Sequence, residues 1–179
     1  MPDRFDMLHL VGLLVVAGGL LLLVLTPQPE AGAMHGGRLD RAMEKQMLAR
    51  ARTDFLKQTY APVVDLTASG EYAAALLKLK ELGREYPGEP HGDILRGEIL
   101  LAQQAWQPAT ASFVRGVKGN GDYVDAKSPL SRYESISRVV DEGLRQVGAQ
   151  VKQHPDNSSL QETMRDLYYL QSRLAGGCE

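Results

Sequence analysis

The 179-residue chain has one cysteine, Cys178, so no disulfide can close within it and no thiolate pair is available for zinc. It has no CxxCH for haem attachment, and its four histidines (His9, His35, His91, His154) lack ligand spacing. Charge of one sign is missing too. Twenty basic residues against 22 acidic leave a formal net charge of −2, which offers no field for nucleic acid and no polybasic stripe for anionic lipid. Strand patterns are lacking: Val63-Val64 is too short, and no alternating run with hairpin turns occurs.

Catalytic groupings are also lacking. Cys178 lies in a terminal Gly-Gly-Cys-Glu with no histidine near it in sequence, and reads as a surface thiol. His91 and His154 open and close helices, where capping or solvation is the expected role. Asp40 and Glu44 share a charged helix face. Lys118-Gly119-Asn120-Gly121-Asp122 lacks the lysine–serine/threonine ending of a phosphate-binding loop and reads as a connector. No enzyme activity and no cofactor are expected.

What the sequence does have is an apolar run. Leu8–Leu25 carries no charge and one strongly polar residue, His9. At 1.5 Å rise per residue it spans about 27 Å, enough to cross a hydrocarbon core. Ala31-Gly32-Ala33 fits a signal-cleavage pattern, but the run exceeds the usual h-region, and Asp3 and Asp6 offset Arg4. An uncleaved anchor is expected rather than a cleaved signal. Arg38, Arg41 and Lys45 follow the run, so the charge rule taken literally keeps the large domain in the cytoplasm. Gly12 and Gly19, seven apart on one helix face, are candidates for contact with another span.

After the run, the sequence divides as follows. A 1–7 tail and the 8–25 span precede a Pro/Gly spacer over 26–37. Leu39, Met43, Met47, Ala51 and Phe55 recur every four residues and predict a connecting helix over 38–60, kinked or ended at Ala61-Pro62. Further helices are expected at 62–68, 71–86, 91–103, 107–118, 129–153 and 158–175. Tyr86-Pro87-Gly88 stops one. Pro108 and Pro129 suit first turns, and Asn157 or Ser158 can cap the last, with Glu162 placed to reach back. The expected fold class is all-α: an N-terminal transmembrane helix, then a short helical solenoid with capping helices.

A period of 34 runs through this region. Tyr72 and Trp106 are 34 apart, as are Ala75 and Ala109, and Pro87, Gly121 and Pro155 continue the step. Gly70-Glu71-Tyr72, Ala75 and Pro87 in the first unit resemble the tetratricopeptide (TPR) motif. So do Gly97, Leu100, Trp106, Ala109 and Phe113 in the second. Small residues sit where helices cross closely, and aromatic ones fill the gaps. Pro62, Arg96 and Gln104-Ala105 depart from the motif. The two repeats cover 56–123, overlapping the connecting helix. Residues 124–157 form a degenerate third repeat or a single long helix, broken from the pattern by Arg138 and Gly143. Residues 158–179 supply a capping helix and tail, with Leu160, Met164, Leu167 and Leu170 on its inner face.

The layout resembles bacterial membrane-anchored TPR proteins, namely the ancillary subunit of the Sec translocon and the TPR factor of cytochrome c maturation. That resemblance implies an inner-membrane protein with a periplasmic domain, against the literal charge count. It also implies a groove lined by first helices: Tyr60, Val64 and Thr67 in one unit, Ile94, Glu98 and Leu101 in the next. Such a groove binds other proteins, either client polypeptides or subunits of a membrane complex, and a constitutive structural subunit is the alternative role.

Overall fold

The computed structural model describes residues 33–176, with side chains from Asp40 onward, and every regular element among them is helical. In chain order these are α1 (Ala33–Ala68), α2 (Tyr72–Glu85), α3 (Pro90–Ala102) and α4 (Trp106–Gly119). A 3-10 turn (Gly121–Tyr123), α5 (Tyr133–Gln153) and α6 (Ser158–Leu174) complete the set. The apolar run, with Gly12 and Gly19, lies outside the described residues, as does Cys178. No helix among the described residues is long and apolar enough to cross a membrane.

The chain divides into two units at Leu48/Ala49. In the first, residues 40–48 are all exposed, including Met43, Met47 and Leu48 at 55–64%. The expected spacer is helical from Ala33 on, so only its first part is open to that reading. Pro62 was expected to kink or end the connecting helix, yet α1 continues through it to Ala68. Proline costs a helix interior about 3 kcal/mol in isolation. Here Leu56, Tyr60 and Val63 are buried on either side of it, while Pro62 faces outward, where water can solvate the carbonyl it leaves unbonded.

The second unit is built from helices joined by turns that repeat. After α1, the Ser69 N–H donates to Asp65, Gly70 to Thr67, Glu71 to Leu66 and Ala75 to Glu71. After α3, Gln103 donates to Ile99, Gln104 to Leu101, Ala105 to Leu100 and Ala109 to Ala105. Each bond of the second set lies one full period beyond its counterpart. The helix C-termini recur likewise: Tyr86 to Leu82, Asn120 to Gly116, His154 to Gln150. The entries to α3 and α6 match at twice the period. Glu89 accepts from the His91 N–H, and Asn157 accepts from Ser159 and Leu160. Gln161, rather than Glu162, reaches back from α6, donating to the Pro155 carbonyl.

Packing explains the small residues. Ala75 and Ala109 have no exposed surface. A Cβ on Gly97 would stand 2.9 Å from the Phe113 ring, and one on Gly143 would stand 2.7 Å from Leu167. Gly143, which breaks the motif, is thus where α5 and α6 approach. Phe113, Ile94, Ile99, Val139 and Leu170 join one core, and Val147, Leu160 and Leu167 a second beside it; Trp106 packs against both.

The degenerate third repeat, 124–157, departs from the pattern of the first two. Pro129 opens no helix; residues 124–132 form an irregular stretch of turns and bends, and α5 starts at Tyr133. Side chains explain the difference. Asp125 accepts from the Lys127 N–H, Ser128 from Leu130 and Ser131 from Tyr133, local bonds that compete with a helical ladder. Helix α5 still ends at Gln153, one period after the end of α4 at Gly119, so its second half keeps the register.

Candidate functional site

The groove positions divide between core and surface. Tyr60, Ile94 and Leu101 are buried. Tyr60 packs edge-on against His91 at 5.0 Å and lies beside Gly92, while Ile94 fills the space over Gly116. In an array this short, those register positions meet neighbouring helices. Val64 is 47% exposed. Thr67 is half-buried, and its hydroxyl donates to the Val63 carbonyl at 2.7 Å.

Glu98 is half-buried and meets the third unit. Arg132 Nε lies 3.2 Å from Glu98 Oε1, and the Ser135 hydroxyl donates to the same oxygen at 3.1 Å. Arg132 and Ser135 lie one period beyond Glu98 and Leu101, so they occupy the groove register of a unit that has lost its first helix. Burial pushes the Glu98 carboxyl above its usual range, while the Arg132 charge and the Ser135 bond pull it back. Arg132 also donates through Nη1 to the Ser131 carbonyl. Next to this network is a cavity of about 370 Å³ lined by Ala126, Ser131, Arg132, Tyr133, Glu134 and Ser135. Its walls carry hydroxyls and both charge signs, which suit hydrogen bonding to a polypeptide.

A second polar cluster is internal. His91 Nδ1 lies 3.1 Å from the Tyr123 hydroxyl, and both residues are buried. Desolvation, with Arg132 and Arg52 nearby, pushes the His91 pKa down to about 4. Burial, with Glu89 next, pushes Tyr60 up to about 12, and the same causes raise Tyr123. Arg52 reaches Glu89 at 3.4 Å, and the Arg132 N–H donates to the Tyr123 carbonyl. The cluster therefore ties α1, the start of α3 and the turn before α5. A capping or solvated role is expected for His91; the residue does stand in the first turn of α3, where its N–H meets the Glu89 cap, but its ring belongs to the core and is not solvated. The signal was present, since His91 stands three and four residues before Ile94 and Leu95, on their face. His154 is exposed at the end of α5.

No group of three histidine, cysteine, aspartate or glutamate side chains placed to hold a metal occurs among the described residues. Compared with known proteins, the chain matches no family model, no curated protein and no solved structure. The class that fold and site define is an all-α array of helical hairpins.

Proposed function

We propose that this chain is a membrane-anchored, TPR-like interaction module that holds other proteins at a bacterial inner-membrane complex as a scaffold or assembly factor. The observation that carries the reading is the recurrence, bond for bond and at a single period, of the turns after α1 and α3. Their spacing is that of TPR units, and arrays of such hairpins present extended surfaces to polypeptides. The groove register offers exposed Val64 and, in the later repeats, Glu98 with Arg132 and Ser135, the last two lining a cavity. Leu8–Leu25 supplies the anchor, and the domain lies in the periplasm by its resemblance to anchored TPR proteins.

Two experiments test this. A reporter active only in the periplasm, fused after Glu179, should be active; silence places the domain in the cytoplasm. Purification of the full chain in mild detergent, followed by mass spectrometry, should recover a substoichiometric set of proteins. One complex at fixed stoichiometry would instead make the chain a constitutive structural subunit.

A further inference from the structure

The outward face of α5 has a charge order that complements itself when reversed. Ile136, Val139, Val140, Gly143 and Val147 turn inward and are buried. On the opposite side Glu134, Arg138, Asp141 and Arg145 are exposed at spacings of four, three and four, which keeps them in one row. Read in either direction, the row alternates acid and base. Rotation by two-fold symmetry about a point between Val139 and Val140 places Glu134 opposite the partner's Arg145 and Arg138 opposite the partner's Asp141. The reciprocal pairs follow, as an isologous contact requires. Ser137, half-buried near the axis, has little bulk to hold two helices apart.

The four charges are not used within the chain. The ion pairs among the described residues are Arg52–Glu89, Lys78–Glu81, Arg115–Asp93 and Arg132–Glu98, and none includes them. Glu134 and Arg138, like Asp141 and Arg145, stand four apart, a spacing that permits pairing along the helix, but they do not close on each other. A shallow concavity of about 480 Å³ runs along the row and leaves room for opposing side chains; half-buried Glu142 also lines it, and the two-fold sets it opposite the partner's Ser137 rather than opposite a charge.

We propose that a second copy of this chain docks here, antiparallel, α5 against α5. One helix face is smaller than the ~1,200 Å² that a stable dimer buries, so the contact is weak and depends on concentration. Its charges are exposed, so it also weakens with salt. Tyr133 and Glu134 also line the cavity beside Arg132, so a docked copy covers part of that wall.

Cys178 is the sole thiol and serves as the labelling site. Full chains carrying donor or acceptor dye are mixed in detergent micelles, and energy transfer is followed against protein and sodium chloride concentration. Transfer should rise with protein and fall with salt. Reversing the acids (Glu134→Arg with Asp141→Arg) or the bases (Arg138→Glu with Arg145→Glu) should weaken association about tenfold or more. Mixing the two reversed chains should restore it, and the circular dichroism and melting curve of each alone should match those of the unaltered chain. Transfer absent from the unaltered chain, unchanged by either reversal or unrestored in the mixture would overturn the proposal. Unchanged transfer would point instead to association through another surface.

Discussion

At the residue scale, two equivalent positions carry different costs. Gly70 and Gln104 make the same turn bond in successive units, at φ of +77° and +60°. Glycine adopts this left-handed backbone freely, whereas glutamine is strained by about 1 kcal/mol or more. Gln104→Gly should therefore stabilise the chain by about 0.5–1 kcal/mol, read as a raised denaturation midpoint at unchanged slope. His91 gives a pH dependence. The unfolded chain protonates it near its ordinary 6.5, and the folded chain only at about 4. Between those values the unfolded state binds more protons, so stability is whole above pH 6.5 and falls by up to roughly 3 kcal/mol as pH drops towards 4. Glu98, with its carboxyl raised, acts in the opposite sense at the acid end. Melting curves across this window should flatten in His91→Gln, which leaves Glu98 unaltered. An equal slope in the variant would remove His91 as the cause.

At the element scale, the helix crossings test the register. Ala109 has no exposed surface where α4 meets its neighbours. Ala109→Leu should cost about 1–3 kcal/mol by overpacking, and an unchanged melting curve would count against the crossing. Much of this scale was legible in the sequence, because proline, glycine and asparagine punctuate it. Tyr86-Pro87-Gly88 and Asn157 end and begin helices as expected. Two places were not. Pro62 reads as a break by propensity, but burial of Leu56, Tyr60 and Val63 carries the helix past it. The stretch from Val124 to Arg132 reads as a helix start by Pro129, but three local side-chain bonds hold it in turns. Such competition is decided by geometry that periodicity does not contain.

At the scale of the whole molecule, the all-α class and the repeat period were legible because they rest on many weak signals at fixed spacing. The site was less so. A register assigns the same role to Tyr60, Ile94 and Leu101 as to Val64 and Glu98, but the first three are consumed by the core of a short array. Arg132 could be placed only once the lost first helix of the third unit brought it onto Glu98. What remains outside is the surface on which the proposed function depends, and Val64 is its exposed apolar member. Val64→Asp should leave stability within about 0.5 kcal/mol, since the side chain is open to solvent. The most direct measurement is quantitative mass spectrometry of proteins recovered with the full chain from mild detergent, normalised to the chain, for Val64→Asp beside the unaltered protein. The recovered set should fall several-fold at an unchanged melting temperature. An identical set at identical yield would contradict the proposed function.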